Sequence, residues 1–191
     1  MFLKRYDPLV YWLAFTASAI VGTVISDYID RTLGLGYLLG SLILIGLLLV
    51  VLAVWYLKEK SLSVENITTS TAEGFYWVAF LIANTLGTAA GDFLADSLGM
   101  GFLLSAALIT GLLIVTVLLH YFSNISGILL FWIAFVLTRP FGATFGDLLT
   151  KTTEKGGLDA STIGASLFLA LILTFALMKE TQLENARLQG R

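Results

Sequence analysis

Three stretches of this chain carry Trp-x-Ala-Phe, with a Gly ten residues and an Asp fifteen residues after the Trp. They are Trp12/Ala14/Phe15/Gly22/Asp27, Trp77/Ala79/Phe80/Gly87/Asp92 and Trp132/Ala134/Phe135/Gly142/Asp147. Each copy lies in an apolar stretch that carries few charges. A repeated unit must fold the same way each time, so the motif calls for an internally duplicated architecture with one acid at a fixed place in every copy.

The solvent for that architecture is lipid. The 191 residues are 58% hydrophobic and 13% charged, with a mean hydropathy of +0.90. A soluble domain is about 45–50% apolar and about a quarter charged. A net charge of −2 points away from nucleic acid. There is no cysteine, hence no disulfide, thiolate nucleophile or sulfur metal site. The first apolar stretch runs uncharged from Pro8 to Ser26, too long for a cleavable signal core, and it carries the motif.

Charge-free windows predict six helices, near 9–33, 36–57, 75–98, 101–121, 127–149 and 160–178. Each is long enough to cross a hydrocarbon core of about 30 Å. Runs such as Leu42 to Leu52 do not alternate polar with apolar, which argues against barrel strands. The spans group into repeat one (8–57), repeat two (75–121) and repeat three (127–178), followed by a polar tail (179–191) that can form a short exposed helix. Together they make a single polytopic domain. Residues 11–56 and 76–121 align without a gap, with 17 identities in 46 positions. Since each unit is a helical hairpin, successive units enter the membrane from the same side, as parallel repeats.

Lys4, Arg5, Lys58, Lys60, Lys179, Arg187 and Arg191 fall on one side, and Arg31, Lys151 and Lys155 on the other. The positive-inside bias puts both termini in the cytoplasm of a bacterial inner membrane. The motif Trp then sits at the cytoplasmic interface, and Gly34 and Gly99 stop the first and third helices. Asp27 lies about 22 Å along the helix from Trp12, in the outer third of the bilayer.

An acid at that depth costs energy and therefore faces protein or water. In helix one, Thr16, Thr23, Asp27 and Asp30 share a side. Helix three carries Asn84, Thr88, Asp92 and Asp96 every four residues, and helix five Arg139, Ala143, Asp147 and Lys151, with Thr144 beside them. Two readings stand. Asp27, Asp92 and Asp147 bind a cation or proton, or they are structural hydrogen-bonding groups between repeats. Arg139, followed by the helix-kinking Pro140, either snorkels, pairs with an Asp of another repeat, or serves as an anion clamp or counter-ion. Gly36-x-x-x-Gly40, Gly101-x-x-x-Ser105 and Gly157-x-x-x-Ser161 start the second helix of each hairpin and permit close packing. His120 is alone at a helix end. No zinc signature, phosphate loop or Ser/His/Asp set is visible.

Gly87-Thr88-Ala89-Ala90-Gly91-Asp92, Phe131-Trp132-Ile133-Ala134-Phe135, Leu137-Thr138-Arg139-Pro140-Phe141-Gly142-Ala143 and Gly156-Gly157-Leu158 resemble a bacterial membrane-anchored "repeat of unknown function" family. The resemblance covers Tyr11 to Leu177. It implies an integral membrane fold of tandem two-helix units, with three units here where members usually look like four.

The expectation is therefore an all-α integral membrane protein of six helices in three parallel hairpin repeats. It is a transporter or channel for a cation or proton-coupled solute, with Asp27, Asp92, Asp147 and Asp96 as ligands. Asn84, Thr23, Thr88 and Thr144 line its path, and Arg139 is the counter-charge. The partners are the lipid bilayer and a small ion or solute, and a second copy of the chain can complete it. No cofactor, no nucleic acid and no enzymatic activity are expected. The competing readings are a non-transporting scaffold with structural acids and an intramembrane enzyme with two acids in bonding reach.

Overall fold

The computed structural model describes residues 8–64 and 67–189. Among them are six long helices and no strand: α1 (Pro8–Asp27), α2 (Gly36–Glu59), α3 (Ser70–Asp92), α4 (Gly101–Phe122), α5 (Gly127–Thr150) and α6 (Thr162–Gln189). All six contain a segment long and apolar enough to cross a membrane, so the protein is multi-pass. Leucine, isoleucine and valine cover the outward faces of α2, α4 and α6, as lipid contact requires.

Two of the three turns repeat one design. α1 and α3 each widen into a last π-helical turn, Tyr28–Thr32 and Phe93–Ser97. Leu33 N–H donates to Tyr28 O at 2.9 Å, and Leu98 N–H to Phe93 O at 3.0 Å. Gly34 and Gly99 then take positive φ, 70° and 65°. Glycine adopts that conformation without a Cβ penalty, which is why the stop falls there. The third turn differs. α5 ends at Thr150, and the following loop folds back so that Leu158, Asp159 and Ala160 N–H groups donate to the carbonyls of Leu148, Lys151 and Leu149. Gly157 lies on Lys151, where a Cβ would collide with its backbone carbonyl.

Three boundaries depart from expectation. α3 begins at Ser70, five residues early, because Thr69 caps it: its Oγ1 accepts from Ala72 N–H at 3.0 Å. α6 continues through the polar tail to Gln189. Gly157-x-x-x-Ser161 is loop rather than helix start, and Ser161 Oγ accepts from Gly164 N–H at the opening of α6. Pro140 is buried, and α5 runs unbroken through it.

α3 is the axis of the molecule. It packs against α1, α2 and α5, while α4 packs against α5 and α6 touches α5 and α1 only lightly. The second helix of each of the first two repeats thus packs mainly on the first helix of the next. Equivalent residues meet in register: the Tyr11 and Tyr76 hydroxyls lie 2.8 Å apart, and those of Thr23 and Thr88 3.2 Å apart. That register requires α1 and α3 to run parallel, as the repeat predicted.

Close approach depends on the motif glycines. A Cβ on Gly22 would lie 2.7 Å from Asn84 Cβ, and one on Gly87 would overlap Arg139. In both cases the glycine of one repeat receives the residue seven after the Trp of the next.

Candidate functional site

Residues spaced by four lie on one helical face. Counting in fours from the residue before each motif Trp gives Tyr11, Phe15, Ala19, Thr23, Asp27 and Arg31 on α1. The same count gives Tyr76, Phe80, Asn84, Thr88, Asp92 and Asp96 on α3, and Phe131, Phe135, Arg139, Ala143, Asp147 and Lys151 on α5. The three stripes face one another and enclose two adjoining cavities, which share Thr23 and Thr88.

The first cavity is an acidic vestibule of about 560 Å³. Asp27, Asp92, Asp96 and Asp147 line it together with Arg31 and Lys151, for a net formal charge of −2. The ion pairs are loose. Arg31 Nε lies 3.3 Å from Asp27 and its Nη2 lies 3.6 Å from Asp92, while Lys151 Nζ lies 3.6 Å from Asp147. The Asp92 side chain is 12% exposed, against 44% for Asp27. The depth gradient follows from α3 being central and α1 peripheral. Thr23 Oγ1 also reaches Ala19 O at 3.3 Å.

The second cavity, about 670 Å³, lies toward the Trp end. Its floor is an aromatic cage. The motif phenylalanines of all three repeats surround the Arg139 guanidinium, whose carbon lies 4.7 Å from the Phe15 ring centre, 4.4 Å from Phe80 and 4.5 Å from Phe135. Cation–π attraction at such distances is worth about 0.5–2 kcal/mol per ring. Asn84, buried opposite, donates from Nδ2 to Ser18 Oγ at 3.3 Å.

Of the nine residues singled out from sequence, Asp27, Asp92, Asp147 and Asp96 meet in the vestibule. Thr23 and Thr88 form its boundary, and Asn84 and Arg139 lie in the second cavity. Two expectations are corrected. Of the alternatives open for Arg139, an ion pair with an Asp is not found among the described residues: about 12 Å of helix separates it from the level of Asp147, and rings rather than carboxylates surround it. Thr144 does not line the path. It is 1% exposed, donates to Pro140 O at 2.8 Å, and packs toward Gly91 of α3.

Two members of the helix-one stripe also leave it. Asp30 is buried against α2 at Gly40 and accepts from Ser26 Oγ at 3.1 Å. Thr16 is exposed and donates to Trp12 O. Two of the motif Trp residues also bond within the protein. Trp132 is buried and donates to Leu62 O at 3.1 Å, and Trp12 donates to Glu180 of α6 at 3.0 Å.

The aromatic layers and Arg31 are the site residues that reading of the sequence missed. The signal was present: Phe lies four residues before the position of Arg139 in every copy, and Arg31 four after Asp27. Among the described residues, no cluster of His, Cys, Asp and Glu could hold a metal ion.

The family described as Repeat of Unknown Function (DUF347) matches residues 10–61, 75–126 and 130–181. The chain belongs to that family. Its three matched segments coincide with α1–α2, α3–α4 and α5–α6, so the family unit is the hairpin. No curated protein and no solved structure matches the chain.

Proposed function

We propose that this DUF347 protein is a small transporter of a bacterial inner membrane, its termini cytoplasmic, which takes a cation or proton into the acidic vestibule. One observation carries the reading. The acids at one motif position in three repeats, together with Asp96, line a single cavity instead of facing three separate surfaces. Carboxylates held in a membrane-embedded cleft concentrate cations and exchange protons. Asp92, the least exposed of the three, is the central proton or hydrated-cation site, and Asp27 and Asp147 line the same cavity without forming one coordination shell with it. Thr23 and Thr88 close the inner end.

Arg139 argues against an open cation channel. A cation leaving the vestibule toward the Trp end meets a fixed guanidinium in a low-dielectric wall, the arrangement that excludes cations in selective pores. The reading is therefore gated or coupled transport without enzymatic chemistry.

The test is flux of H⁺, Na⁺ and K⁺ into proteoliposomes. Asp92→Asn keeps size and polarity and removes the charge. We expect it to abolish the flux of the wild type while the melting temperature in detergent stays within a few degrees. Unchanged flux, or a wild type that moves none of these ions, overturns the reading. The Arg31 bridge between Asp27 and Asp92 favours a second reading, a non-transporting scaffold. Its signature would be a lowered melting temperature for Asp92→Asn with no ion dependence.

A further inference from the structure

Arg139 lacks what a buried cation ordinarily has. Its Nε is buried without a hydrogen-bond partner, and among the described residues it forms no ion pair and no hydrogen bond. A charge near the middle of a membrane helix costs about 2.5–3.5 kcal/mol even on insertion scales. The three rings stabilise the positive charge, but their faces accept no conventional N–H···O bond. The four Nη N–H donors at the end of the planar fork are therefore held in place and left for an acceptor.

The cavity beside the guanidinium suits one kind of acceptor. Among the described residues Arg139 is the only charged group in its lining, so the cavity carries one positive charge where the vestibule is net negative. Tyr11, Tyr76 and Phe131 form its aromatic wall toward the Trp end, beyond the motif phenylalanines. Asn84 brings an amide from the opposite helix. One fixed charge matches a monoanion, whereas a phosphate dianion would call for a second base. The planar fork matches a carboxylate in two parallel hydrogen bonds. Aromatic walls around one such anchor suit a flat apolar body attached to it.

We propose that the Arg139 cavity binds an organic monocarboxylate with an apolar, preferably aromatic body, the carboxylate on Arg139 and the body between the Tyr/Phe walls. This names an anionic solute for the transport reading. It rests on that reading only for the claim that the solute moves. Binding stands on the cavity alone.

Equilibrium dialysis of purified protein in neutral detergent against labelled benzoate tests it, with benzamide as the isosteric neutral competitor. Benzoate should bind saturably and about tenfold or more tighter than benzamide, the difference a charge-assisted pair supplies. Arg139→Gln should abolish that preference, and Asp92→Asn should leave it intact. Equal affinity of benzoate and benzamide for the wild type overturns the proposal without recourse to any variant. So does displacement of benzoate by inorganic phosphate or by phosphatidylglycerol micelles at comparable concentration, which would make the cavity a phosphate or lipid-headgroup site. If benzoate fails to bind while Asp92→Asn still abolishes ion flux, this inference falls and the transport reading survives.

Discussion

The acidic vestibule and the aromatic cavity are built by the same three helix faces, yet they carry opposite charge. The difference traces to two motif positions. Fifteen residues after the Trp, all three repeats keep Asp, and the acids add up. Seven residues after it, they hold Ala19, Asn84 and Arg139, and one repeat alone sets the sign. Duplication thus supplies a multiplied group where the copies agree and a unique group where they diverge. The aromatic positions serve both purposes: three identical phenylalanines surround a residue that only one copy possesses.

The largest expected effect comes from breaking the contact that brings α5 to α3. Gly87→Ala places a Cβ on Arg139, against backbone as well as side chain, so one of two helices must move. Overpacking of that kind costs about 1–3 kcal/mol. The melting temperature in detergent should fall by several degrees, and binding at the aromatic cavity should weaken more than ion binding in the vestibule. Gly142 is the equivalent residue of the third repeat, and its Cβ would meet nothing. Gly142→Ala should stay within about 0.5 kcal/mol of the wild type. Equal effects at the two glycines would break the claim that the glycine of one repeat receives a residue of the next.

Much of this was legible in the chain, for a physical reason. Lipid leaves the backbone no choice but helix, so apolar windows locate the six spans. The period of four then assigns faces, and for α3 and α5 the stripe read from sequence is the stripe that lines the cavities. Where it failed, a competing contact won. Asp30 sits one helical step from Asp27, but the small Gly40 on α2 admits it. Thr144 lies beside Asp147's face, but α3 covers it. For Arg139 the sequence left snorkelling, an Asp partner and an anion clamp or counter-ion all open. The pattern puts a Phe four residues before this position in every copy, but it does not show that three phenylalanines, 55 to 120 residues apart, close on one guanidinium. The π-helical ends of α1 and α3 left no compositional trace.

A smaller effect separates ring from bulk in the cage. Phe80 is fully buried and meets Phe15 at 4.8 Å and Phe135 at 5.6 Å between ring centres. Phe80→Leu keeps an apolar group and removes the aromatic face toward Arg139. It should cost about 1–2 kcal/mol, part cation–π and part ring–ring attraction. Thermal melts of Phe80→Leu with and without Arg139→Gln read the coupling. If the two losses simply add, the guanidinium draws nothing from the ring and the cage is only packing.

The smallest effect lies at the boundary between the two cavities. The Thr23 and Thr88 hydroxyls are the one polar contact common to both linings. Thr23 also has Ala19 O within reach, so its hydroxyl can be satisfied without Thr88. Polar contacts between membrane helices average about 0.6 kcal/mol in double-mutant cycles, and a hydroxyl with an alternative acceptor should give no more. Thr23→Val, Thr88→Val and the double variant, compared by melting in detergent, should therefore show a coupling of about 0.5 kcal/mol or less. Function should respond out of proportion to that energy. Two valines keep the shape of the boundary and make it apolar, so an ion in the vestibule loses its only polar step toward Arg139. Loss of flux with stability unchanged would mark the threonine pair as the gate between the two compartments. Unaltered flux in the double variant would mean that whatever enters the vestibule leaves without crossing this layer, and the two cavities then work independently.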